Sequence, residues 1–173
     1  KVIKSSVDQS ENRAKIIAHV GAITTHKAQV LAESAANFGA HAICAVPPFF
    51  YKPNIDTIIN HYKAISEAAG NIPFFVYNLP QSTGTEITPQ IMKEIMTAIP
   101  NTAGLKHSGP AFTDLKGFVD LNISCFIGNA NLMLPALTLG ASGCIDGPLN
   151  AAPELWSDIW KTFKNNEFDK SMI

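Results

Sequence analysis

The stretch FGAHAICAV, residues 38–46, contains the end of one predicted helix and the start of one predicted strand. Gly39 stands where a helix commonly ends in a left-handed residue, and residues 42–46 are apolar without alternation. Unbroken apolarity is typical of a parallel strand that is covered on both faces. The stretch LGASGCIDG, residues 139–147, repeats this order of helix end and strand start. The pattern therefore indicates an α/β fold built from repeated units.

Short apolar runs of this kind occur six times, and a segment of helical period follows each of them. The predicted strands are 15–21, 41–48, 72–78, 102–108, 123–129 and 143–147. The predicted helices are 25–39, 54–70, 88–100, 111–122, 131–140 and 152–166. Thr88 before Pro89 predicts a helix N-terminus, and Gly70 and Gly140 are placed, like Gly39, to end helices.

Six successive βα units fit either a doubly wound open sheet or a (β/α)₈ barrel. No G-x-G-x-x-G follows the first run, which weakens the dinucleotide-binding form of the open sheet. A complete barrel takes about 250 residues, so this chain would hold roughly six of its eight units. The opening KVIKSSVDQS, residues 1–10, is typical of the end of a helix and favours missing strands on the N-terminal side.

The amino-acid composition and the net charge indicate which kinds of molecule the protein is suited to bind. The 173 residues are 46% hydrophobic and 16% charged, with a net charge of −1, so nothing in the charge favours nucleic acid or an anionic membrane. The three cysteines lie in apolar runs without a C-x-x-C pair, and the five histidines are scattered, so we expect free thiols and no metal site. Without a spanning run or a signal peptide, we expect a cytoplasmic protein whose start lies upstream of Lys1.

A lysine ends the fourth apolar run in AGLKHSG, residues 103–109. In both architectures ligands bind at the carboxyl ends of the strands, where Lys106 is expected. An apolar wall disfavours the ammonium form and favours the free amine, which can condense with a ketone. The resulting iminium draws electrons from the next carbon, so an adjacent C–C bond can be cleaved or formed. The alternative is a solvated lysine at the rim of a loop.

A tyrosine ends the preceding run in FFVYNLPQSTG, residues 74–84. Because neighbouring strand ends converge on one mouth, the phenol of Tyr77 is expected near the Lys106 amine, where it can shuttle a proton. The alternative is a core tyrosine with a hydrogen-bonded hydroxyl.

The pair YNLPQSTG and LKHSG resembles the signature of the N-acetylneuraminate lyase and dihydrodipicolinate synthase family, the class I pyruvate-dependent aldolases. The resemblance extends through IIAHVG and PPFFYKP to GNANLMLPALTLGASGCIDG. It implies a (β/α)₈ barrel, of which residues 1–173 form a partial catalytic domain carrying strands 3 to 8, without the N-terminal units and the C-terminal helices. It also implies a homotetramer.

The same resemblance implies roles for single residues. Lys106 forms the Schiff base with pyruvate and Tyr77 is the proton-shuttling phenol, so no further cofactor is expected. The remaining substrate-binding positions, carried over one by one, are Ser108, Gly128, Ile145 and Gly147. The family's carboxylate-binding loop follows a strand that this chain lacks, so we expect the 173-residue chain alone to process pyruvate poorly. Thr24 and Thr25 are interpreted as helix N-caps and not as that loop.

The branch within the family is less determined. HVG and PPFFYKP favour the sialic acid lyases, and Ser82 replaces an arginine of the synthases that clamps a carboxylate. Ala130, Asn131 and Gly147 nevertheless depart from the lyase pattern, and Asp146 is unusual beside them. A sialic-acid-type sugar acid is therefore the first substrate, with 4-hydroxy-2-oxoglutarate and 2-keto-3-deoxy sugar acids as alternatives. Dihydrodipicolinate formation is disfavoured, and a non-catalytic keto-acid-binding relative is the rival from another class.

Overall fold

The computed structural model describes residues 1–70 and 72–166. Strands and helices alternate along it in βα units. The strands are β1 Ile17–His19, β2 Ala42–Ala45, β3 Phe74–Asn78, β4 Thr102–His107, β5 Ser124–Ile127 and β6 Gly143–Cys144. The helices are α1 Val2–Ser10, α2 Thr25–Asn37, α3 Ile55–Ala68, α4 Pro80–Thr83, α5 Pro89–Ala98, α6 Asp114–Val119, α7 Met133–Thr138 and α8 Pro153–Lys164. Short 3₁₀ helices cover Ala130–Leu132 and Gly147–Asn150.

The six strands form one sheet in the order of the sequence, β1-β2-β3-β4-β5-β6. The pairs β1/β2, β2/β3 and β5/β6 are parallel, with His19 level with Cys44 and Cys44 level with Phe75. A doubly wound sheet reverses its strand order at a switch point, whereas a (β/α)₈ barrel adds each strand beside the last. The order therefore confirms an α/β fold of consecutive units and agrees with part of a barrel.

The chain divides into two compact units, Lys1–Gly104 and a second one that begins at Leu105, so the boundary falls within β4. The prediction of one catalytic domain over the whole chain stays a prediction. In the first unit, α3 packs against α2 and α5. The Tyr62 ring of α3 lies 5.3 Å from the Phe74 ring of β3, centroid to centroid, and Ile58 and Ile65 are buried on the same helix.

The second unit has its own apolar core. Leu105 of β4 and Leu115 and Phe118 of α6 are fully buried, and α7 packs against β6 and α8. Helix α8 contains no buried residue, although Trp160 donates a hydrogen bond to the carbonyl of Ser142 at 3.3 Å. Apolar strands covered by amphipathic helices thus supply this core as the sequence predicts.

Most helix boundaries follow their local signals. Thr88 caps α5 by accepting from the Ile91 amide at 3.3 Å, and Gly39, Gly70 and Gly140 have φ angles of 81°, 66° and 100°. Helix α1 confirms the helical character expected for residues 1–10. Thr24 accepts from the Lys27 amide and caps α2.

Thr25 corrects the sequence interpretation, because it is the first residue of α2 and not a cap. Its hydroxyl is hydrogen bonded to His61 Nδ1 at 2.8 Å. The end of the sheet also differs from the prediction: β6 stops at Cys144, because Asp146 caps the 3₁₀ helix that begins at Gly147. The four-residue helix α4 was not predicted.

Two other findings concern chemistry and environment. Cys44, Cys125 and Cys144 form no disulfide among the described residues, and Cys44 and Cys125 are buried. Within residues 1–70 and 72–166, no helix combines the length and the apolarity that crossing a bilayer requires.

Candidate active site

Tyr77 is the last but one residue of β3 in the first unit. It is partly exposed, whereas its neighbours Val76 and Asn78 are fully buried. The ring of His19, the last residue of β1, meets the Tyr77 ring edge-on, with centroids 5.8 Å apart and planes at 88°. Strand alternation thus directs the phenol away from the helices that cover the sheet.

The segment after Tyr77 is fixed by its own polar side chains. The buried Asn78 amide donates to the Ile87 carbonyl at 2.9 Å, and its oxygen accepts from the Ile87 amide at 3.0 Å. Thr83, at the end of α4, donates to the carbonyls of Leu79 and Thr85. In the motif YNLPQSTG, the asparagine and the threonine therefore have a structural role: their hydrogen bonds fix the backbone after Tyr77. Ser82 lies exposed on α4.

Lys106 occupies the equivalent place on β4 in the second unit, last but one in the strand. It is partly exposed between Leu105 and His107, both with no exposed surface. The His107 ring packs 5.3 Å from the ring of Phe118 and donates from Nε2 to the carbonyl of Ala111 at 3.1 Å. His107 therefore packs in the core of the second unit, on the opposite face of the strand from Lys106.

Ser108 and Gly128 are in direct contact. The Gly128 amide donates to the His107 carbonyl at 2.7 Å, which continues the pairing of β4 and β5 beyond the strand ends. A Cβ atom on Gly128 would lie 1.8 Å from Ser108 Oγ and 3.0 Å from Ser108 Cβ. Gly128 is therefore the residue that allows the Ser108 side chain to lie over the end of β5.

Asp146 joins the loops that follow β5 and β6. Its Oδ2 accepts from the Ala130 amide and its Oδ1 accepts from the Gly147 amide, both at 2.8 Å. Ile145, whose amide donates to the Ile127 carbonyl at 2.9 Å, leaves 36% of its surface exposed. An aspartate before Gly-Pro is unusual in the sequence, but its bond to Ala130 spans 16 residues and no local pattern predicts it.

Cys144 lies within the electrostatic reach of Lys106. Burial raises the pKa of the Cys144 thiol to about 11, the Asp146 carboxylate raises it as well, and the Lys106 ammonium lowers it. The thiol is therefore protonated near neutral pH and is a poor nucleophile. Lys106 lies on β4 and Cys144 on β6, and these strands are separated in the sheet by β5 alone. Side chains of alternate strands share layers inside barrels, which accounts for the electrostatic effect of Lys106 on Cys144.

The structure thus gathers Lys106, Ser108, Gly128 and Asp146 around the ends of β4, β5 and β6 in the second unit. Tyr77 and His19 form a corresponding pair in the first unit. The contact expected between Tyr77 and Lys106 stays a prediction. Among the residues that the structure describes, no group of three or more His, Cys, Asp or Glu is placed to hold a metal ion.

Curated proteins with similar sequences include N-acetylneuraminate lyases and 4-hydroxy-tetrahydrodipicolinate synthases. The chain is 30% identical to N-acetylneuraminate lyase 2 of Escherichia coli O6:H1, over 99% of this chain and 56% of that protein. It is 32% identical to the 4-hydroxy-tetrahydrodipicolinate synthase of Caldicellulosiruptor bescii, over 99% of this chain and 58% of that protein. The nearly equal identities leave the branch within the family open.

The fold is also similar to that of solved structures. The sialic acid aldolase of Ruminococcus gnavus, solved as a catalytic lysine mutant, superposes with a TM-score of 0.93 at 28% identity, over 99% of this chain and 57% of that one. The chain spans between 56% and 58% of the length of the two curated relatives. The dihydrodipicolinate synthetase family matches residues 1–172 of the sequence. This chain belongs to that family.

Proposed function

We propose that the protein is a class I aldolase that forms or cleaves a C–C bond between pyruvate and an aldehyde through a Schiff base on Lys106. The observation that carries the proposal is the position of Lys106, partly exposed at the carboxyl end of β4 and flanked by buried Leu105 and His107. Membership of the dihydrodipicolinate synthetase family supports it.

The proposed chemistry starts from the free Lys106 amine, which attacks the keto carbon to give a carbinolamine. Loss of water then gives an iminium, with the departing hydroxyl receiving a proton. In the cleavage direction, the iminium accepts the electron pair of the broken C–C bond and becomes an enamine, while the substrate hydroxyl loses a proton to form the aldehyde. Protonation of the enamine carbon and hydrolysis release pyruvate and the amine. We assign these proton transfers to the Tyr77 phenol.

Four further residues contribute to binding in this proposal. The Ser108 hydroxyl and the backbone at Gly128, which are in contact, lie beside the end of β4 that carries Lys106. Ile145 and Gly147 follow β6 and would line the same pocket for the keto acid. No metal or other cofactor enters the proposal, because the covalent iminium is itself the electron sink. We also propose a homotetrameric protein of the cytoplasm.

We infer that the substrate is a sialic-acid-type sugar acid, with 4-hydroxy-2-oxoglutarate or a 2-keto-3-deoxy sugar acid as alternatives. The segments HVG and PPFFYKP and the serine at position 82 favour the first class. Steady-state release of pyruvate by the full-length protein from a panel of these acids tests the assignment, with Lys106→Arg as the inactive control. Dihydrodipicolinate synthase activity above all panel members would refute it.

A non-catalytic keto-acid binder is the second candidate. It is favoured by Ala130, Asn131 and Gly147, and by Asp146, both of whose oxygens accept backbone amides and so hold loops together. Exchange of the pyruvate methyl protons in D₂O separates the two candidates without any aldehyde. An enzyme that forms the enamine exchanges these protons and loses the methyl signal, whereas a binder leaves the signal intact.

A further inference from the structure

His19 makes an aromatic contact that the proposed chemistry does not yet use. It is the last residue of β1 and an exposed one, whereas Ala18 and Val20 on either side are buried. Its ring meets the Tyr77 ring of β3 in a T-shaped arrangement, with centroids 5.8 Å apart and an interplanar angle of 88°. The two strands are separated in the sheet by β2, so the rings meet across its end.

The backbone and its surroundings fix the place of the imidazole. A Cβ atom on Gly21 would lie 2.8 Å from His19 Cε1 and 3.0 Å from His19 Nε2. The same atom would lie 2.9 Å from Cγ2 of Val46, directly after β2. The Val20 amide donates to the Cys44 carbonyl at 2.8 Å, which holds this end of β1 against β2. The imidazole therefore lies over Gly21, in space that only glycine leaves open.

We propose that His19 is a positioning residue for Tyr77, a role that rests on the proposed function of Tyr77 as the proton carrier. An edge-to-face partner restricts rotation of the phenol ring, because the favourable geometry is lost when either ring turns. Proton transfer requires the hydroxyl at hydrogen-bond distance from the reacting atom, and small misplacements cost large factors in rate. The contact thus places the hydroxyl before any substrate is bound.

The two residues of this packing are close in the sequence. His19 and Gly21 belong to the segment HVG, in which the histidine supplies the ring and the glycine supplies its space. His19 and Gly21 lie within the first unit, as do Val46 and Tyr77. The contacts that hold the His19 ring are therefore all internal to that unit.

The test compares two substitutions at one position in the full-length protein. His19→Ala removes the ring, whereas His19→Phe keeps an aromatic ring and removes both nitrogens. His26→Ala, at an exposed position on α2, is the matched control. The readouts are the ring resonances of Tyr77, assigned by their loss in Tyr77→Phe, and the rate at which pyruvate becomes trapped on Lys106 by borohydride.

We expect His19→Ala to shift the Tyr77 resonances and to slow trapping by about tenfold or more, with the same final extent of labelling. His19→Phe should restore the rate to within about threefold of the wild type. Unchanged Tyr77 resonances and an unchanged rate in His19→Ala would overturn the proposal. A His19→Phe protein as slow as His19→Ala would overturn it too, because the nitrogens would then be required. If the wild type traps no pyruvate, the proposed function fails, and the resonances alone decide the contact.

Discussion

The strand ends that carry Tyr77 and Lys106 are built on the same plan but held by different means. In each, a partly exposed side chain is followed by a buried polar residue that binds the next loop. Asn78 makes two hydrogen bonds to the backbone of Ile87, at 2.9 and 3.0 Å. His107 donates a hydrogen bond to the Ala111 carbonyl at 3.1 Å.

Two glycines also restrict the loop that follows Lys106, because neighbouring side chains pack closely against them. A Cβ atom on Gly109 would lie 2.8 Å from His107 Cε1, and one on Gly128 would lie 1.8 Å from Ser108 Oγ. The tyrosine loop is thus held by the hydrogen bonds of Asn78, whereas the lysine loop combines the His107 hydrogen bond with close packing against glycine. The tyrosine loop should therefore lose stability when the polar side chain of Asn78 is removed. The lysine loop should lose stability when a glycine that packs against it is replaced by a larger residue.

The largest loss of stability is expected from Asn78→Ala. The substitution leaves the amide and the carbonyl of the fully buried Ile87 without their partner. Two buried backbone groups left unsatisfied cost roughly 2–4 kcal/mol in the free energy of unfolding. Urea denaturation measures the loss, and Gln90→Ala on the exposed face of α5 is the control, which should change little. Equal stability of the two variants would contradict the hydrogen-bonded account of the tyrosine loop.

Added volume is the corresponding test of the lysine loop. Gly128→Ala forces Ser108 or the end of β5 to move, and such overpacking costs about 1–3 kcal/mol. Gly147→Ala is the matched control in the same unit, because a Cβ atom there meets nothing within 4 Å. Thermal unfolding of the two variants should show a lower midpoint for Gly128→Ala alone. Equal midpoints would mean that the Ser108 side chain does not depend on the space that Gly128 leaves open.

The smallest effect is expected at acidic pH and away from both loops, at His61 of α3. Burial lowers the pKa of His61 below its ordinary value, with a smaller opposing contribution from the Val46 carbonyl. The unfolded chain then takes up a proton before the folded one, so stability is full above the unfolded pKa and falls as the pH drops below it. Urea unfolding at several pH values should show a steeper acid loss for the wild type than for His61→Gln. His26→Gln is the exposed control, and a wild-type slope matching that of His61→Gln would contradict the assignment.

Local signals predicted much of this fold. Unbroken apolar runs located all six strands, and Thr88, Gly39, Gly70 and Gly140 marked helix ends, because each acts on its own few residues of backbone. The strand-end positions of Tyr77 and Lys106 followed from the same runs.

Contacts between distant residues could not be predicted in this way. Asn78 binds Ile87 nine residues on, Asp146 binds Ala130 across 16 residues, and Thr25 binds His61 across 36. Each partner is chosen by the folded arrangement and not by neighbouring sequence. The packing of Ser108 on Gly128 and the ring contact of His19 with Tyr77 likewise depend on which strand ends lie near one another.

The central claim is that Lys106 is the amine that condenses with pyruvate, and reductive trapping tests it most directly. The full-length protein is incubated with pyruvate and borohydride, and the modified lysine is identified by peptide mass mapping. The account predicts modification of Lys106 alone, with the more exposed Lys116 of α6 unmodified, and no modification in Lys106→Arg. Labelling of another lysine while Lys106 stays unmodified, or no pyruvate-dependent labelling at all, would contradict it.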